Sequence, residues 1–251
     1  MLTLPTLTKI LNICISDAIF PNELKLADIT PICKSLNSTA KKNQRPISIL
    51  NSVLKLIEKL IQRQLRSFLE NKLSDHLCGY QKGYTTQYPL LDLIEKWKKV
   101  RDERSYSAAV LVDLSKAFDT INHDLLIAKL HAYSVHGKSI KLIRDYLCDR
   151  FERTKVNLAH NTWKELLTHI PKGSVLGPLS FNTYLNGVFH MIECTEICNF
   201  ADDTIPYSSC QNLKEAMTNV VHNCAIFVKW FWDNLMTLNT HKLLPVNMDV
   251  L

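Results

Sequence analysis

The stretch Asn199-Phe200-Ala201-Asp202-Asp203 lies between two short apolar runs and carries two adjacent carboxylates. The pattern predicts a strand over 196–201, a tight turn at Asp202 and Asp203, and a strand returning over 204–208. Two carboxylates at a hairpin tip repel one another unless something positive sits there. Aspartate also favours turns on its own account, so the pair needs a second feature before it points to chemistry. That feature stands earlier in the chain. Ser107 to Leu114 reads Ser-Ala-Ala-Val-Leu-Val-Asp-Leu, short, apolar and β-rich like a buried central strand, with Asp113 at its end. If the hairpin pairs beside this strand, Asp113, Asp202 and Asp203 converge at one sheet edge. Oxygen donors so placed suit two Mg2+ ions with positions left for substrate phosphates, as in-line phosphoryl or nucleotidyl transfer requires.

Working outward, Leu24 to Cys33 alternates and ends near Pro31, which predicts a strand, and the polar, basic stretch 34–45 reads as a loop. Apolar residues recur at helical spacing over 52–73, with Ser52 as the expected cap. A turn holding Gly79 and Gly83 precedes a second helix over 90–100. Helices are expected over 123–131 and 139–149, a strand pair over 154–158 and 166–170, and a helix over 179–192 led in by Pro178. A long helix over 213–232 follows the hairpin. The mixture predicts an α+β fold, a small, mostly antiparallel sheet packed against helices.

Composition agrees with a soluble globular chain: 251 residues, 46% apolar and 22% charged. The net charge of +6 is unevenly spread, since residues 1–100 hold 15 lysines and arginines against 8 acidic residues. A basic first part points to a polyanionic partner. The eight cysteines form no C-x-x-C pair, so reduced thiols in an intracellular, non-secreted protein are expected and a zinc site is not. No apolar run reaches the roughly 18 residues of a membrane span. Glycine is scarce, six in the chain, so the place of each should carry information.

Three runs taken together resemble the reverse transcriptases of non-LTR (LINE-type) retrotransposons: Asn199 to Asp203, Val-Asp-Leu-Ser-Lys-Ala-Phe-Asp from Val112, and Pro-Lys-Gly-Ser-Val-Leu-Gly-Pro from Pro171. The likeness extends to Lys25-Leu26-Ala27-Asp28-Ile29-Thr30-Pro31-Ile32, Gln44-Arg45-Pro46-Ile47-Ser48, Gly79-Tyr80-Gln81-Lys82-Gly83 and Leu238-Asn239-Thr240-His241-Lys242, in the family's order. The resemblance implies the fingers and palm of a right-hand polymerase. It divides the chain into a helical lead-in (1–24), fingers with part of the palm (25–105), a palm with the catalytic aspartates (106–242) and the start of a further strand (243–251). It implies RNA-directed DNA polymerase activity on an RNA template and DNA primer with deoxynucleoside triphosphates, using two Mg2+ ions for which Mn2+ can substitute. Neither a membrane nor an obligate protein partner is implied.

By the same resemblance, Asp113, Asp202 and Asp203 are the metal-binding and catalytic aspartates, and Lys242 donates a proton to pyrophosphate. The Leu114 carbonyl faces a metal, Phe118 is a steric gate against a 2′-OH, and Lys82, Lys172 and Gly173 meet the nucleotide. Lys34, Lys41, Lys42, Arg45, Gly79 and Gly83 contact nucleic acid. The chain departs from the family at Gln81, where arginine is usual, at Lys172 for glutamine, at Gly187 for an acidic residue, and at His241 for aspartate. No thumb follows and no endonuclease precedes, which reads as a truncated or partly decayed copy. The alternative expectation is a non-catalytic nucleic-acid-binding remnant. A palm-fold nucleotide cyclase has no use for the runs around Arg45 and Pro171.

Overall fold

A computed structural model of the chain describes residues 3–33, 43–81, 83–115, 117–166, 168–192, 195–239 and 244–248. They fall into two compact units, each assembled from separated stretches of chain: residues 1–70 with 121–180, and residues 71–120 with 181–251.

In the first unit, helix α1 (Thr3–Asp17) precedes strands β1 (Leu26–Cys33) and β2 (Gln44–Ile49), then helix α2 (Ser52–Leu69). After the second unit's first stretch come α4 (His123–Ala132), α5 (Gly137–Leu147), β4 (Phe151–Val156), β5 (Ala159–His160) and β6 (Lys164–Glu165). Strands β1 and β2 pair antiparallel, whereas β1 and β4 pair parallel. Arg45 therefore stands in a strand, exposed on β2, and not in the expected loop. The described residues of 166–170 are not in a strand; β4 instead pairs with the two-residue strands β5 and β6. The apolar run there buries Leu166 and Ile170 as a connection.

The helical spacing over α2 is real, but Asn51 caps it, its side chain accepting from the Val53 N–H at 2.8 Å. Glu58 lies fully buried on this helix. One carboxylate oxygen accepts from the Tyr146 hydroxyl at 2.5 Å and the other from the Val175 N–H at 2.8 Å. Burial pushes the Glu58 carboxyl above its ordinary range, against the opposing pull of these two hydrogen bonds and of Arg150. The native state then holds its proton to higher pH than the unfolded chain does, so stability falls as pH rises from the ordinary carboxylate value through the raised one. Glu58→Gln should flatten that fall, as checked by urea unfolding of both proteins from about pH 4 to 7.

The second unit is built on β3 (Tyr106–Asp113), flanked by helix α3 (Gln87–Asp102) and by strands β7 (Glu196–Phe200), β8 (Asp203–Cys210) and β9 (Leu244–Met248) in the order β7-β8-β3-β9. All pairings in this sheet are antiparallel. Alternation along β3 explains its apolar sequence. Ala108 packs with Ala216 and Val220 of helix α7 (Leu213–Asp233), while Ala109 packs with Leu93 of α3 and with Tyr207. The strand is thus covered on both faces. Helix α6 (Gly177–Leu185) is shorter than the expected 179–192, and continues as a 3-10 turn over Asn186–His190. The described residues therefore form two sheets where one was expected. No helix among the described residues is long and apolar enough to cross a membrane.

Candidate active site

Strand β3 meets β8 in a register that sets Asp113 directly opposite Asp203, with Val112 opposite Thr204. Directly opposed residues of an antiparallel pair project from the same face, with Cβ atoms about 5 Å apart. The Ala201-Asp202 turn joins β7 to β8, and Phe200 and Asp203 close it. Asp113 and Asp202 are half-buried and Asp203 is exposed. Asp113 and Asp203 thus face each other across the strand pair, with Asp202 on the adjoining turn.

Asp113 is clasped from the other side by residues after α7. Asn239 donates its side-chain amide to Asp113 Oδ2 at 2.8 Å and its backbone N–H to the Asp113 carbonyl at 2.9 Å. Ser115 N donates to the Thr237 carbonyl at 2.8 Å, and Leu114 bridges Leu238. This pattern directs the N–H and C=O of Leu114 away from Leu238. Nearby, burial and then the Asp202 and Asp203 carboxylates push the Tyr80 hydroxyl above its ordinary value. Tyr80 stays protonated there, a donor beside two anions. Its ring meets Phe118 edge-on at 5.8 Å, and Phe118 stacks on Phe181 at 5.1 Å. Phe118, half-buried on a 3-10 turn, is therefore held by aromatic neighbours.

The hairpin tip is braced by a residue whose role sequence reading missed. Asn199, almost fully buried, donates to the Ala201 carbonyl at 3.1 Å, the Asp203 carbonyl at 3.1 Å and Thr204 Oγ1 at 2.9 Å. Ala201 needs the support, since its φ of 58° is left-handed. Asn199→Ala strands these acceptors, and a loss of about 2–3 kcal/mol is expected in urea unfolding. Asn199 stood inside the quoted pentapeptide, and nothing in the run itself says that its amide turns back. Gly79 also serves the hairpin, because a Cβ there would lie 2.2 Å from the Ala201 nitrogen. Gln81 turns its amide back onto the Leu77 carbonyl.

Lys172, Gly173 and Arg45 belong to the first unit. Gly173 has a φ of +101° and sits with its Cβ position 3.3 Å from the Ser48 carbonyl, while Ser48 N donates to the Lys172 carbonyl at 3.0 Å. Ser174 Oγ accepts from Gly177 N at 2.9 Å and caps α6. Gly83, with φ +90°, has open space where a Cβ would point. Lys34, Lys41, Lys42, Lys82 and Lys242 lie outside the described residues.

Among the described residues no three histidine, cysteine, aspartate or glutamate side chains gather as a metal-holding group. The donor chemistry still fits Mg2+, which binds through one or two carboxylates and completes its octahedron with water and substrate phosphates. The seven described cysteines form no disulfide, and Cys33 and Cys148 are exposed while the others are buried or half-buried.

The sequence matches the family model described as reverse transcriptase (RNA-dependent DNA polymerase) over residues 34–246. It is 27% identical over 249 residues to the probable RNA-directed DNA polymerase from transposon BS of Drosophila melanogaster, covering 94% of this chain and 27% of that protein. It is 23% identical over 149 residues to the RNA-directed DNA polymerase from mobile element jockey of the same organism, covering 56% of this chain and 16% of the relative. The chain thus spans about a quarter or less of these relatives. The fold is similar to apo telomerase from Candida tropicalis truncated from its C-terminal domain, with a TM-score of 0.63 and 14% identity over 95% of this chain and 54% of that one. The polymerase-like α+β fold and the family match together make this chain a member of the reverse transcriptase (RNA-dependent DNA polymerase) family, in its non-LTR retrotransposon branch.

Proposed function

We propose that the chain carries out RNA-directed DNA synthesis. The primer 3′ oxygen forms a bond to the α-phosphorus of a deoxynucleoside triphosphate as the α–β bridging bond breaks and pyrophosphate leaves. The observation that carries this reading is the register pairing of Asp113 with Asp203, with Asp202 on the adjoining turn. Asp113 and Asp202 would hold the metals, with Asp203 and the Leu114 carbonyl beside them. Two Mg2+ ions, or Mn2+ in their place, would activate the attacking hydroxyl and neutralise the leaving pyrophosphate.

The chain's own residues hold this geometry. Asn239 donates to Asp113 Oδ2 and so fixes the orientation of its side chain. Phe118, fixed by Tyr80 and Phe181, presents a rigid ring against a sugar 2′-OH. We assign the palm to the sheet bearing the aspartates and the fingers to the basic N-terminal part. There Lys34, Lys41, Lys42 and Arg45 would meet template phosphates, and Gly79 and Gly83 the nucleic acid. Lys82, Lys172 and Gly173 would meet the incoming nucleotide, and Lys242 would protonate the leaving group. A second reading, nucleic-acid binding without catalysis, is favoured by Gln81, which supplies no cation and spends its amide on Leu77.

Primer extension on a primed RNA template separates the two. Incorporation that requires a divalent ion and follows the template is expected. A folded preparation that incorporates nothing at any Mg2+ or Mn2+ concentration overturns the catalytic reading.

A further inference from the structure

We infer that the exposed edge of α2 is a track for the phosphodiester backbone of nucleic acid, an inference that rests on the nucleic-acid substrate of the proposed function. Helix α2 carries Lys55, Lys59, Arg63 and Arg66, and its sequence holds one acidic residue, Glu58. At 100° per residue these four cations fall within about 80° of the helix circumference, in a line about 16 Å long. Lys55, Lys59 and Arg63 are exposed and Arg66 is half-buried. Glu58 itself is fully buried and bonded to Tyr146 and Val175, with Lys55 within electrostatic reach of it. Successive cations step by about 6 Å along the axis, close to two phosphates of one strand at roughly 3.4 Å each.

The stripe does not stand alone. Gln62, on the border between the cationic edge and the buried face, donates to the Val175 carbonyl at 3.2 Å. Glu58 takes the N–H of the same residue. The 172–175 turn is thereby stitched along the side of α2, with Lys172 itself held at its carbonyl by Ser48. A strand passing over that turn has the stripe as its next surface. Helix α3 carries as many cations as α2 but has three acidic residues of its own, Asp92, Glu95 and Asp102. Its Lys99 and Arg101 have acidic neighbours, Glu103 at 3.9 Å and Asp102 at 3.6 Å. These cations are paired locally, as solvated surface charges usually are.

The test is the salt dependence of binding to a fluorescent primed RNA template, measured in EDTA without nucleotides so that no catalysis is involved. Each phosphate that the protein no longer neutralises should lower the slope of log K against log salt by about 0.7–0.9. The Lys55→Gln/Lys59→Gln/Arg63→Gln variant should therefore lower the slope by about 2, and Lys98→Gln/Lys99→Gln/Arg101→Gln on α3 by less than half of that. An unchanged slope in the α2 variant overturns the inference, as does an equal reduction in both variants. The latter would mean a generic charge effect, and the former would leave α2 to another acidic partner. The pair Lys59→Gln/Arg63→Gln, expected to lower the slope by about 1.5, serves if the triple variant is unfolded by circular dichroism. A chain that fails primer extension but shows the selective slope change loses the catalytic reading and keeps this one. Extension without a slope change has the opposite meaning.

Discussion

Asp113→Asn should abolish primer extension, by a factor of about a thousand or more, while leaving the fold as stable as before or slightly more so. Asparagine has the shape of aspartate and can still accept from the Asn239 amide, which donates to Asp113 Oδ2 at 2.8 Å. What disappears is a negative charge directly opposite Asp203. Two facing carboxylates repel, so removing one relieves the native state by about 0.5 kcal/mol if nothing positive lies between them. Urea unfolding and primer extension on the same preparation check both halves. Retained incorporation would sink the assignment of Asp113. Lost incorporation together with a large loss of stability would make the residue structural.

Gly79→Ala is the second large effect, and it acts through backbone. The added Cβ would lie 2.2 Å from the Ala201 nitrogen, 2.5 Å from its Cα and 2.9 Å from its Cβ. No flexible side-chain end is there to yield, so the turn bearing Asp202 must move. A cost of about 3 kcal/mol is expected, with incorporation reduced about a hundredfold as the carboxylates lose register. Gly137→Ala provides the comparison. That glycine has a φ of +60° and open space around its Cβ position, so only the left-handed strain of about 1 kcal/mol applies. Full incorporation by Gly79→Ala would show that the hairpin does not depend on this close approach.

Much of the second unit was legible in the sequence, because its signals are local. The run from Ser107 to Asp113 is apolar at nearly every step, as a strand covered on both faces must be. The hairpin announced itself by apolar runs flanking a polar pair, and α7 by its spacing. Where reading failed, the determinants were distant or nearly degenerate. Asn51 and Ser52 are both acceptable caps, and only the backbone path shows that Asn51 takes the position. The run 166–170 has strand composition but no free edge to pair with, since β4 is already paired to β1, β5 and β6.

The sequence by itself determined the α+β character and the family, because these rest on residue types at fixed spacing. Only tertiary structure decided that Asp113 faces Asp203, that Asn199 and Asn239 hold the hairpin and the strand end, and that Gly79 is small because Ala201 lies against it. Each of these joins residues far apart in the chain or turned back upon it. Side-chain amides can bond in many directions, and a glycine can be chosen for a turn or for lack of room. The chain also crosses between its compact units at 70, 120 and 180. Those crossings leave no local mark, since they depend on which distant segments bury one another's apolar faces.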